Sequence, residues 1–199
     1  MREIVKMMIV LTVISIFSGV TLAFFERKTR EPIEYQRLRF VKGPAVLAVL
    51  SNYDNDPIKD HKKNVVLKES EDLITQKSIF PAKKNGKCFA IAYEVMGEGY
   101  HGTVGIMVGI DIKSGNLTGM KVTTHTETPG LGARIVEPAF YEQFAGLGIQ
   151  DLALSNKGGK INAVSGATIS SQGVVEAVKK GLELFTRTKT EITKALESG

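Results

Sequence analysis

The sequence predicts an α+β protein: an antiparallel sheet with flanking helices, behind a single N-terminal transmembrane helix. Three observations carry this. Met7 to Phe25 is an apolar run of nineteen residues without a charge. Between Cys88 and Thr124, three runs of eight or nine residues are separated by glycine-rich turns, the mark of an antiparallel meander. From Ile169 onward, apolar residues recur at helical spacing.

The apolar run comes first. At 1.5 Å per residue it spans about 28 Å, close to the hydrocarbon thickness of a bilayer. Arg2 and Lys6 precede it, and Glu26, Arg27, Lys28 and Arg30 follow. A cleaved signal peptide is the alternative, but its apolar region is about 7–15 residues and ends at small residues. The best such site here, Thr21-Leu22-Ala23, is poor, so the run reads as a retained anchor over residues 1–25. Positive-inside counting sets Arg2 and Lys6 against Arg27, Lys28 and Arg30, a margin of one residue that leaves the orientation open.

Residues 26–45 read as a charged stalk with Pro32 and a Gly43-Pro44 turn, and residues 46–199 as the folded domain. Ala45 to Leu50 is a short apolar run, Ser51 to Lys63 a polar loop, and Val65 to Phe80 a weakly alternating stretch ending at Pro81. Lys83-Lys84-Asn85-Gly86-Lys87 reads as a solvated hairpin tip. Cys88–Val95, Thr103–Asp111 and Leu117–Thr124 are expected strands, joined by Gly97–Gly102 and by Lys113-Ser114-Gly115-Asn116. In the second strand Gly105 and Gly109 permit close approach by another element or a ligand. A short helix is expected over Ala139–Phe144, after Pro138. In the last helix Val174, Val175, Val178, Leu182 and Phe185 form the apolar face, opposite Glu176, Lys179, Lys180 and Glu183.

Composition excludes several classes. With 43% apolar and 24% charged residues in 199, the chain is neither disordered nor collagen-like. Cys88 is the single cysteine, so no disulfide forms within the chain, and with His61, His101 and His125 alone there is no Cys/His zinc site. The net charge of +5 permits an anionic partner, but the basic residues are scattered, with no recognition helix or aromatic–basic interleaving, and the span argues against nucleic acid. Ser165 with His125 and Asp111 could be imagined as a hydrolytic set, yet there is no G-x-S-x-G elbow.

Three stretches could carry chemistry. Asn162-Ala163-Val164-Ser165-Gly166-Ala167-Thr168-Ile169-Ser170-Ser171 is a hydroxyl-rich glycine loop entering a helix. It serves two readings: a plain helix cap, or a seat for a phosphate at the free N–H groups of a helix start. His125-Thr126-Glu127-Thr128-Pro129-Gly130-Leu131-Gly132-Ala133 places Pro129-Gly130 at the centre of a type II turn. That stretch is either an ordinary strand-end turn or a loop covering a planar ligand, with Thr126, Glu127 and Thr128 ahead of it and Leu131 at its tip. Gly97-Glu98-Gly99-Tyr100-His101-Gly102 is the weakest, with Tyr100 packing on a ring or simply half-buried.

Taken together and in order, Gly99-Tyr100-His101-Gly102, Val108-Gly109-Ile110-Asp111, His125 to Gly132 and Val164-Ser165-Gly166-Ala167-Thr168 resemble the FMN-binding domain family over roughly residues 85–185. That family includes the G subunit of the Rnf ion-translocating ferredoxin:NAD oxidoreductase complex and, as a close relative, the C subunit of the sodium-pumping NADH:quinone reductase. The short length favours the former; the latter, and an anchored structural subunit without flavin, are the alternatives. The resemblance implies FMN held covalently through a phosphoester to Thr168, installed by a separate flavin transferase. It implies that Thr126, Glu127, Thr128 and Leu131 line the isoalloxazine, that Ser165, Gly166, Ala167 and Ser170 surround the phosphate, and that Gly132 and Tyr100 belong to the same cofactor-binding set. It implies an electron relay between redox centres of membrane and iron–sulfur partner subunits, with the flavin domain on the periplasmic or extracellular side of the inner membrane. The chain departs from the family's pattern at Asn162, where Asp is frequent, and at His101, where a small residue is common. It has neither a G-x-G-x-x-G nicotinamide loop nor an iron–sulfur cysteine set, so it is an electron-transfer subunit without a complete substrate site of its own.

Overall fold

A computed structural model describes residues 2–68 and 74–197. The chain divides into two compact units, Met1–Val41 and Lys42–Gly199. The first is the helix α1, Arg2–Arg37. An 18-residue window in it has a mean hydropathy of 2.4 and none of it is buried, so by length and composition it can cross a membrane. The helix runs through Pro32. Proline removes one backbone hydrogen bond there, and the rest of the ladder carries the helix past it.

The second unit opens with α2, Gly43–Val49. The Gly43-Pro44 pair, expected as a turn, instead starts this helix. Proline in the first turn, here at its second position, loses no bond within this helix, because the opening N–H groups have no partner inside it. The apolar run that follows buries Ala45, Val46, Val49 and Leu50.

Five strands follow, β1 (Lys62–Lys68), β2 (Ile74–Lys84), β3 (Lys87–Glu98), β4 (Thr103–Asp111) and β5 (Leu117–Thr124). They pair in chain order, each antiparallel to the next. The last two match the expected bounds and β3 is longer. β1 and β2 were expected only as weak alternation over residues 65–80; residues 69–73 of that stretch lie outside the described residues. Pro81 does not end β2. It pairs with Ile91 of β3, while β1 reaches only as far as the Lys62–Ile79 pair, so the missing N–H falls where no second neighbour needs it. The β2–β3 hairpin turns on Asn85 and Gly86, with φ of 51° and 74°. Both residues in the left-handed region is the signature of a type I′ turn, which the Asn-Gly pair favours.

The sheet has two covered faces. On one, Ile91, Tyr93, Val95, Val104, Ile106, Val108 and Ile110 meet Val174, Val178, Leu182 and Phe185 of α4, Thr168–Glu197, in a continuous core. The helical spacing expected from Ile169 onward is the buried stripe of α4. Each large apolar side chain so buried contributes about 1.5–3 kcal/mol. Tyr93 is fully buried and its hydroxyl donates to the Gly181 carbonyl at 2.6 Å. On the opposite face α2 crosses β4 and β5. Thr118 Oγ1 donates to the Val49 carbonyl, and a Cβ on Gly109 would lie 2.6 Å from that same carbonyl oxygen. The close approach expected at Gly109 is thus made by another element of the chain. Beyond β5 lie short helical segments, including α3 (Pro138–Tyr141) and a 3-10 turn Glu142–Phe144, in place of one short helix.

Candidate functional site

The site forms where three loops meet the start of α4. The helix axis points this end at the loops because α4 lies tight against the end of β3. A Cβ on Gly173 would overlap the Glu98 carbonyl oxygen, and one on Gly97 would lie 2.8 Å from Ala177 Cβ. Only glycine allows that approach, although it costs a helix interior about 1 kcal/mol against alanine.

The loop into α4 is built by backbone geometry and one buried serine. Ala167 N–H donates to the Val164 carbonyl at 2.9 Å, and Gly166 has φ 78°, closing a turn that needs a left-handed residue. Ser171, fully buried, accepts from Val164 N–H at 3.0 Å and donates to the Ala167 carbonyl at 2.9 Å. Gln143 brackets the backbone ahead of this turn: its Oε1 accepts from Asn162 N–H at 2.7 Å and its Nε2 donates to the Asn162 carbonyl at 3.3 Å. The backbone at Asn162 is therefore positioned by Gln143, and the Asn162 residue itself is exposed. Thr168 is the first residue of α4 and is exposed. A helix start leaves its opening N–H groups, here those of Thr168, Ile169 and Ser170, without intrahelical partners and with a partial positive charge.

The loop after β5 carries the Pro129-Gly130 turn, and Gly130 has φ 76°, as a type II turn requires. Its central feature is Glu127, only 5% exposed. Glu127 Oε2 accepts from Ser170 Oγ at 2.6 Å and Oε1 accepts from His101 N–H at 3.1 Å. A Cβ on Gly99 or on Gly132 would strike the carboxylate. One side chain thus ties the 99–102 turn, the 125–132 loop and the first turn of α4 together. Burial pushes the Glu127 carboxyl upward, but hydrogen bonds from Ser170 and from the N–H groups of His101 and Tyr100 outweigh it, and it titrates below its ordinary value.

Tyr100, Glu127, Thr128, Leu131, Gly132, Gly166, Ala167, Thr168, Ile169 and Ser170 enclose a cleft of about 480 Å³. That volume lies in the range of small-molecule and cofactor sites, roughly 300–1,000 Å³. Its rim is apolar and solvent-facing, with Tyr100 65%, Leu131 51% and Ile169 58% exposed. Two residues expected in the site stand outside the cleft wall. Thr126 Oγ1 donates to the His101 carbonyl at 3.0 Å, and Ser165 sits exposed in the turn. Tyr100 lies edge-on to the His101 ring at 4.9 Å.

Ile169 was missed as a site residue. Its signal was available: it is a bulky apolar side chain off the helix stripe that begins at Val174. It also borders a second cleft of about 280 Å³ on the other side of Thr168, lined by Glu98, Lys157, Gln172, Gly173 and Glu176. There Gln172 Nε2 donates to Glu176 Oε1 at 2.7 Å, and Gln172 Oε1 is buried without a partner among the described residues.

Residues 99–183 match the FMN-binding domain family. The chain is similar to three curated proteins, each described as the G subunit of an ion-translocating oxidoreductase complex. The protein of Buchnera aphidicola is 31% identical over 78% of this chain and 76% of its own length. That of Cereibacter sphaeroides is 29% identical over 92% of this chain and 85% of its own. That of Methanosarcina acetivorans is 44% identical over 85 residues, and the match spans 43% of this chain and less than half, 45%, of that relative.

Proposed function

Because the chain belongs to the family of G subunits of ion-translocating oxidoreductase complexes, we propose that it is the covalent flavoprotein subunit of a membrane complex coupling electron transfer between ferredoxin and NAD to ion transport. FMN is esterified through its phosphate to Thr168, and the flavin domain lies on the outer side of the membrane, carried by the single span α1.

The observation that carries this reading is the placement of Thr168. Thr168 is exposed at the first position of α4, on the border of a cofactor-sized cleft. The residues suit the group. The unpartnered N–H groups at the helix start favour a phosphoester anion. Leu131, Ile169 and Tyr100 offer apolar and aromatic surface to a planar ring. The buried Glu127–Ser170 bond keeps the covering loop in register with the helix. FMN supplies one- and two-electron transfer when bound. This chain holds the group, orients it and shields one side of it from water.

A threonine hydroxyl is a weak nucleophile without a base. Glu127, the charged residue lining the cleft, has both carboxylate oxygens engaged and titrates low. That supports attachment by a separate flavin transferase with FAD as donor, which would join the FMN phosphorus to the threonyl oxygen as the pyrophosphate bond broke, with AMP leaving and the hydroxyl proton passing to a base of the transferase. With no nicotinamide loop and one cysteine in the chain, electrons come from and go to partner subunits that carry iron–sulfur centres.

The test is in-gel flavin fluorescence after SDS denaturation, in a host expressing a flavin transferase. A band in wild type that is lost in Thr168→Val is expected; a band retained in the variant overturns the assignment. Orientation is read in vesicles. Added protease should cut the domain in right-side-out vesicles and spare it in inverted ones.

A further inference from the structure

Glu127 is the one charged side chain among the residues lining the larger cleft, and it is buried within the wall. Its neighbours are all arranged as donors. Ser170 Oγ and His101 N–H meet the two carboxylate oxygens, Gly99 and Gly132 leave it no room to turn, and the positive end of α4 lies alongside. Two imidazoles stand close by. His101 Nδ1 is 3.3 Å from Thr128 Oγ1, and His125 Nδ1 accepts from Glu127 N–H at 3.3 Å. A loop tie alone does not require a carboxylate. A glutamine there could donate to Ser170 Oγ and accept from His101 N–H, because the serine hydroxyl can reverse its role.

We propose that Glu127 sets the reduction potential of the group held in this cleft, its fixed negative charge opposing the negative charge that reduction adds. This rests on the reading that the cleft holds FMN. The carboxylate is shielded from solvent in a wall whose other lining residues carry no charge. Its field therefore reaches the cleft less screened than that of a surface group. Ser170 acts through it as a positioning residue: its hydroxyl holds Oε2 in place and partly compensates the charge there. Neutralising Glu127 should ease reduction on the order of tenfold in the equilibrium constant. For one electron that corresponds to about 59 mV in the positive direction.

The experiment is potentiometric titration of the full chain, loaded by co-expression with a flavin transferase, for wild type, Glu127→Gln and Ser170→Ala. Covalent loading is scored separately by in-gel fluorescence, so absence of flavin from wild type counts against the cofactor reading and not against this one. The expected result is a midpoint potential more positive in Glu127→Gln and unchanged or more negative in Ser170→Ala, where the charge stays. A loaded Glu127→Gln protein with the wild-type potential overturns the proposal. So does an equal positive shift in both variants, which would mean that loosening of the loop, not charge, moves the potential. If Glu127→Gln fails to load, Ser170→Ala decides alone, and a positive shift there overturns the proposal. In the flavin-free Thr168→Val background, Glu127→Gln should melt within a few degrees of its parent, marking the tie as intact.

Discussion

Ser171→Ala isolates what holds the loop before Thr168. The native hydroxyl is fully buried and makes two hydrogen bonds, accepting from Val164 N–H and donating to the Ala167 carbonyl. The Ala167 carbonyl keeps the Ser171 N–H at 3.0 Å, so the substitution orphans only the Val164 N–H, on a residue 8% exposed. An unsatisfied buried donor costs about 1–3 kcal/mol. Taking about 2 kcal/mol, and about 2–4 °C per kcal/mol for a chain of this size, the melting temperature falls by about 4–8 °C. Thermal unfolding of the flavin-free full chain in detergent, followed by circular dichroism, measures this. Ser165→Ala is the control. It sits exposed in the same turn and should stay within about 0.5 kcal/mol of wild type. Equal melting temperatures for the two variants would refute the reasoning that the Ser171 bonds hold the turn.

Three further outcomes are expected. Gly173→Ala drives a methyl into the Glu98 carbonyl, so despite alanine's better helix propensity it should destabilise by about 1–3 kcal/mol, read in the same melts. The Glu127 carboxyl titrates below its ordinary value of 4.5, so its bonds add stability that is complete above that pH and lost as pH falls through the folded value. The melting-temperature gap between wild type and Glu127→Gln should accordingly narrow as pH drops below about 4.5; a gap that widens on acidification would reverse the sign. Burial pushes the Cys88 thiol up from its usual range. The folded chain should react with iodoacetamide more slowly than the urea-unfolded chain at the same pH, and equal rates would contradict that burial.

Much of this was legible in the residues because it is written in short-range chemistry. Alternation and glycine turns marked β3 to β5, Asn85-Gly86 marked the hairpin, and Pro129-Gly130 marked a turn that needs positive φ at its second residue. The valine stripe of α4 was legible for the same reason, since its period is set by one partner face. What escaped depends on distant contacts. β2 does not alternate because Ile79, Phe80, Pro81 and Ala82 are all buried, so both of its faces are covered there. Gly43-Pro44 reads as a turn in isolation and starts a helix because Val49 has Gly109 and Gly119 to pack on. Glu127 stood in the motif as one of three polar side chains. Its burial against Ser170, 43 residues away, is a consequence of folding that no local pattern encodes. Ile169 escaped because a helix-start residue facing out looks like surface until the cleft beside it is formed.

The most direct test of the central claim is peptide mass spectrometry of the full chain, purified from a transferase-expressing host and digested with trypsin. Trypsin releases the fragment from Ile161 to Lys179, which contains Ser165, Thr168, Ser170 and Ser171 as alternative acceptors. The account predicts that this fragment carries the added mass of one FMN joined with loss of water, and that fragmentation places it on Thr168. An unmodified fragment from a flavin-containing preparation, or the added mass on any of the three serines, would contradict it.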